Sequence, residues 1–160
     1  MSTSSSATIA SLLACVAAVG YAQPKEVPVD ATLCWGGTAH VIAPAQGSVM
    51  GTYQLTGPMR SAEPGGAFDG ASFECVGTFE SLAGDYRQVG YCVSVDKQGD
   101  KVWGRDIRTK TEDTFEYLGG TGKYAGISGT ATKERPGAFP AARPGSLQGC
   151  SRILGKYRLP

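Results

Sequence analysis

The chain contains no asparagine, so none of its 160 residues can accept an N-linked glycan. It has one histidine, His40, and a lone imidazole without a carboxylate cluster beside it argues against a metal site. Charge is sparse: Asp, Glu, Lys and Arg make up 18% of the chain and the net charge is +1. That leaves no basic field for nucleic acid and no acidic tail. No two cysteines have C-x-x-C spacing, so zinc is poorly supported. No Gly-x-Ser-x-Gly elbow follows the first 24 residues, and a triad hydrolase has only one histidine to draw on. Beyond Pro24 no segment shows helical periodicity.

The first 24 residues also lack charge. A Ser/Thr-rich start leads into an apolar run from Ala7 to Val19, then Gly20-Tyr21-Ala22, with small residues one and three places before a cut. Such a stretch is too short to span a bilayer and reads as a secretory signal over residues 1–22. No Lys or Arg precedes it, which departs from the usual pattern. Leu12-Leu13-Ala14-Cys15 also resembles a lipoprotein box, and lipidation at Cys15 ranks behind ordinary cleavage. The expected destination is therefore the periplasm or the exterior. Residues 23–32 read as a linker and 33–160 as one domain, in keeping with single cores of roughly 100–200 residues.

Within that domain the pattern has period two. Phe73, Cys75, Gly77 and Phe79 share a face; Val89, Tyr91, Val93 and Val95 alternate with Gln88, Gly90, Cys92 and Ser94; Trp103, Arg105 and Ile107 alternate with Val102, Gly104 and Asp106. The last run is the clearest, with Leu147, Gly149, Ser151, Ile153, Gly155, Tyr157 and Leu159 on one face. Short strands parted by turns at Gly84 and Gly99 describe an all-β antiparallel fold. About eight strands, several with internal glycine, suit a small closed barrel of lipocalin-like size, with a β-sandwich as the alternative. The Pro/Gly-rich stretches 57–70 and 135–145 read as long loops.

Removing residues 1–22 leaves Cys34, Cys75, Cys92 and Cys150, an even set that suggests two disulfides in an oxidising compartment. Cys75 and Cys92 lie on consecutive strands about one turn. Of the three pairings four cysteines allow, the layout favours Cys75 with Cys92 and Cys34 with Cys150.

The most distinctive segment is Gly119-Gly120-Thr121-Gly122-Lys123-Tyr124-Ala125-Gly126, followed by Gly129. It lacks the Walker spacing and no helix follows, which argues against nucleotide binding. It reads instead as a strand ending in a tight turn, with Tyr124 as a packing anchor. This segment resembles the motif of bacterial proteins with an allene oxide cyclase-like barrel, and dirigent proteins carry a comparable Gly-Gly-Thr-Gly before an aromatic. The resemblance spans residues 70 to 133. It implies an eight-stranded antiparallel barrel with an apolar cavity, often oligomeric, that binds or acts on a small lipophilic molecule. The plant cyclase uses an asparagine-held water, which this chain cannot supply, so no catalytic residue is carried over.

Two functions follow as expectations: an exported barrel that binds a small hydrophobic molecule without cofactor, or a cofactor-independent cyclase, isomerase or lyase working in the cavity. The candidate catalytic residues are His40, Glu74, Asp106 and Glu116, and the candidate ligand contacts are the strand aromatics Tyr91, Trp103, Phe115 and Tyr117. No metal, nucleic acid or membrane-spanning partner is expected, and a homo-oligomer is an open possibility.

Overall fold

A computed structural model of the chain describes residues 23–160; the proposed signal segment and Cys15 lie outside the described residues. Eight strands run in sequence: β1 (Lys25–Ala45), β2 (Ser48–Ser61), β3 (Ser72–Leu82), β4 (Asp85–Val95), β5 (Lys101–Arg108), β6 (Asp113–Gly120), β7 (Ser128–Ala138) and β8 (Ser146–Leu159). Each pairs antiparallel with the next and β8 pairs with β1, which closes the barrel. The all-β barrel is therefore the fold, and the sandwich is excluded. The turns follow from local chemistry. Ala83 and Gly84 join β3 to β4 with φ of 50° and 81°, the pair of positive values that a two-residue hairpin matched to strand twist requires. At the β4–β5 turn the Asp96 carboxylate accepts the backbone N–H of Gln98 at 2.9 Å and of Asp100 at 3.0 Å.

Three expectations are corrected. Residues 25–32 are no linker: they open β1, pairing Lys25 with Leu159 through Thr32 with Arg152. Their charged residues hid an alternation in which Val29 and Ala31 are buried and Val27 half-buried. The two long loops are shorter than expected, because β2 continues to Ser61 and β7 to Ala138, leaving 62–71 and 139–145 irregular. The glycine-rich segment contains a single 3₁₀ turn, Gly122–Tyr124.

The two disulfides lie on opposite faces of the wall. Cys75 pairs directly with Cys92 across β3 and β4 and lines the interior. Cys34 and Cys150 face each other across β1 and β8 with Cα atoms 4.1 Å apart, next to Leu33 and Ser151, which line the interior. Alternation therefore puts this staple on the outer face. Along the same seam Arg152 forks onto Asp30 at 2.8 and 2.7 Å, and Lys156 and Arg158 reach Glu26 at 2.6 and 3.0 Å. These exposed pairs contribute little each, on the order of 0.2–1 kcal/mol, but all sit where the first and last strands must find each other.

One end of the barrel is stoppered. Loop 62–71 folds back so that Phe68, 5% exposed, stacks on Tyr117 and Tyr124 at centroid distances of 6.1 and 5.7 Å and meets Tyr157 at 5.8 Å. Phe68 has φ of 62°, a conformation that strains a bulky residue by on the order of 1–3 kcal/mol. The loop holds it there through Met59 N–H to Ala71 O at 2.8 Å and Gly70 N–H to Met59 O at 3.0 Å. The Asp69 carboxylate accepts from Gly65 and Ser61 N–H groups, and these backbone donors hold its carboxyl below the ordinary value of 3.8.

Candidate functional site

Above the stopper the barrel encloses a cavity of about 60 Å³. Its body is apolar, built from Leu33, Leu55, Met59, Phe73, Val102 and Phe115 together with the Cys75–Cys92 bridge. Tyr117 closes it against Phe68, and its hydroxyl is buried without a hydrogen-bond partner. Burial pushes that phenol well above its ordinary value, so it stays protonated as a donor.

The opposite side of the cavity carries charge. Lys133 and Arg135 stand on β7, Asp106 on β5 and Asp113 at the start of β6; their side chains are 8%, 16%, 7% and 17% exposed. Lys133 Nζ contacts Asp106 and lies 3.2 Å from Asp113. Arg135 pairs with Asp113, with Nη2 to Oδ1 at 3.1 Å, and approaches Asp106 at 3.8 Å. Gln88 Nε2 donates to Asp106 Oδ2 at 2.8 Å and to the Tyr53 hydroxyl at 3.1 Å, while Tyr86 donates to Gln88 Oε1 at 2.7 Å. Burial and the Arg135 guanidinium both push the Lys133 ammonium down. Two carboxylates within contact distance oppose both, and a contact pair whose carboxylate is further held by Gln88 is the arrangement that keeps a buried ammonium charged. Lys133 is therefore read as charged, held in the cluster as an ion.

The Tyr53 hydroxyl reaches Gln88 by crossing the Gly77–Gly90 pair: a Cβ at Gly90 would stand 2.1 Å from it. Glycine at this cross-strand position is what lets the phenol lie against the wall.

Beyond the cluster the barrel opens into a mouth of about 320 Å³ that shares Trp35, Tyr53, Leu55, Gln88 and Arg135 with the interior. Interior and mouth therefore adjoin across these side chains. Tyr86, Phe79, Leu147, Arg108 and the edge of Cys150 complete its walls, with Arg108 stacked 5.1 Å above the Tyr86 ring and 3.5 Å from Asp113.

Of the residues singled out from sequence, Asp106, Phe115 and Tyr117 line this cavity. Register explains the grouping, since Asp106 pairs across with Phe115 while the next pair, Arg105 and Glu116, points outward. Glu116 accepts a hydrogen bond from Arg105 at 2.7 Å, and Glu74, also outside, accepts one from Gln54 at 2.6 Å. His40 is exposed on the part of β1 that pairs with β2 alone. Tyr91 and Trp103 are 58% and 41% exposed: as odd-numbered neighbours of Cys92 and Val102 they fall on the outer face, away from the cavity. Lys133, Arg135, Gln88 and Tyr53 were not anticipated. The signal for the first two is parity with the buried Ala131, two and four residues before them.

Among the described residues no group of three or more His, Cys, Asp or Glu side chains could hold a metal, and no helix is long and apolar enough to cross a membrane. Asp96 is engaged by two backbone N–H groups and by Lys123 at 2.6 Å.

No family model matches this chain, and no curated protein matches it. Among solved structures it is similar to that of a pterocarpan synthase dirigent protein, at 13% identity over 95% of this chain and 98% of that one, with a TM-score of 0.46.

Proposed function

We propose that the barrel takes up a small, largely apolar molecule through its mouth. The observation that carries this is the pair of adjoining hollows, apolar in the inner body and charged on the wall between. Ligand sites are typically concave and mostly apolar with a few placed polar groups, in volumes of roughly 300–1,000 Å³. The interior alone, at about 60 Å³, falls below that range, and the mouth brings the recess into it. The ligand is thus small and spans both parts. A second argument is energetic. Buried ion pairs are weak contributors to stability because desolvation offsets their attraction, so four of them beside a cavity are better accounted for by a ligand than by folding.

Trp35 supplies the test. It lines both cavity and mouth, and the only other tryptophan, Trp103, is outside. In the Trp103→Phe variant, titration with the neutral dye N-phenyl-1-naphthylamine is expected to change Trp35 emission saturably. Dye fluorescence that rises while Trp35 emission stays constant would place binding elsewhere and defeat the proposal.

Catalysis is the second reading, and Asp106 favours it. This carboxylate is 5% exposed at the cavity wall, held by Gln88 and Lys133, and could serve as an acid–base group in a cofactor-independent isomerisation, cyclisation or elimination. Turnover of a bound substrate should then vanish in Asp106→Asn and survive substitution of His40, Glu74 or Glu116. The two disulfides support the export expectation, since such bonds persist in oxidising compartments.

A further inference from the structure

We infer that the molecule bound in the recess is a monoanion, with its acidic head between Arg108 and Arg135 and an oxygen acceptor at its buried end. This rests on the reading of the barrel as a ligand binder. The first observation is the composition of the mouth. Its charged wall residues are Arg108 and Arg135, with no Asp or Glu among them. The second is a charge count over the cluster behind it. Arg108, Lys133 and Arg135 face Asp106 and Asp113, three cations against two carboxylates, which leaves one positive charge unmatched. A neutral guest leaves that charge uncompensated, and a cation adds to it. An anion completes the balance, and a planar guanidinium accepts a carboxylate in two parallel hydrogen bonds.

Arg108 is the member free to respond. Its side chain is 39% exposed, against 8% and 16% for Lys133 and Arg135. Its guanidinium lies over the Tyr86 ring, so the head can be met without breaking the Lys133–Asp106 contact.

The third observation concerns the other end. The Tyr117 hydroxyl is a buried donor with no partner, an exception that calls for an explanation in a folded protein. From Arg108, which pairs with Asp113, to Gly104, which pairs with Tyr117, is four residues of one strand, or roughly 10 Å along the axis of a tilted barrel. That is room for a medium chain or a small ring body between an acidic head and a carbonyl, hydroxyl or ether oxygen.

The test is displacement of N-phenyl-1-naphthylamine at pH 7 and fixed ionic strength by octanoate, 1-octanol and octylamine. Octanoate is expected to bind at least about tenfold more tightly than either of the others. Arg108→Gln should shrink the gap between acid and alcohol to less than about twofold, with bound dye reporting an intact barrel. 8-Hydroxyoctanoate should outcompete octanoate on the native protein and lose that advantage in Tyr117→Phe. If octanol or octylamine matches octanoate while the dye still binds, the monoanion inference fails and the ligand-binding reading survives. Equal binding of the two acids refutes the Tyr117 contact. If neither dye nor acids bind, both readings fall together.

Discussion

The two disulfides close loops of very different length, and their removal should cost the barrel unequally. Cys34–Cys150 spans 116 residues and Cys75–Cys92 spans 17. In the chain-entropy treatment the first restrains the unfolded chain by about 5 kcal/mol and the second by about 3 kcal/mol, a difference of about 1.7 kcal/mol that does not depend on the constant term. Location narrows the gap. Cys75 is 9% exposed and lines the cavity, so its loss also removes packing, on the order of 1 kcal/mol for a methyl-sized void. The Cys34→Ser/Cys150→Ser protein is therefore expected to be about 0.5–1 kcal/mol less stable than Cys75→Ser/Cys92→Ser. Urea unfolding followed by far-ultraviolet circular dichroism measures this. At an m-value of about 1.5 kcal/mol per molar the midpoints should differ by roughly 0.5 M, and m itself should rise more when the long loop is released. Equal midpoints, or an inner-bridge variant that is the weaker of the two, would refute the reasoning. Such a result would mean that the unfolded chain keeps β1 near β8 without help, or that cavity packing outweighs loop closure.

The remaining predictions address the cluster, the stopper and pH. Lys133→Met should destabilise the barrel by about 3–5 kcal/mol because it strips a buried carboxylate of its counter-charge, and adding Asp106→Leu should restore part of that loss in a double-mutant cycle. Phe68→Ala should cost about 3–5 kcal/mol, since alanine keeps the Cβ at a positive φ, and should raise dye binding by opening the base; unchanged dye affinity would show that the loop does not seal the cavity. The Asp69 carboxyl titrates below its unfolded value of 3.8, so its hold on loop 62–71 is complete above that value and fades as pH falls through the lowered one. Amide exchange at Gly70 should accelerate in that acid window in the native protein, and Asp69→Asn should abolish the pH dependence.

The barrel was legible because its period-two runs and turns are frequent and consistent, and because both cysteine pairs fit one up-and-down meander. The face of each strand was harder to read. In β4 the residues Val89, Tyr91 and Val93 look like the core face, yet the interior receives Gln88, Gly90, Cys92 and Ser94. Alternation divides a strand into two faces without saying which is inside, and in β4 only the bridge from Cys75, beside the buried Phe73, decides it. The same ambiguity sent Tyr91 and Trp103 outward. Lys133 and Arg135 were invisible for a different reason. From Thr130 to Arg135 both faces are mostly polar, so no hydrophobic contrast marked the inward one, and a buried charge reveals itself only when its partners arrive from β5 and β6.

The pairing of Lys25 with Leu159 has a practical consequence. The start of β1 and the end of β8 lie beside Tyr124, Tyr157 and the Phe68 loop, where Lys25 and Leu159 share a hollow with them, while the mouth opens at the far end. Anything joined to either terminus, whether an anchor, a fusion partner or a solid support, would hold the barrel by its closed base. The molecule would then present its opening outward, and a tethered copy should capture ligand as well as a free one.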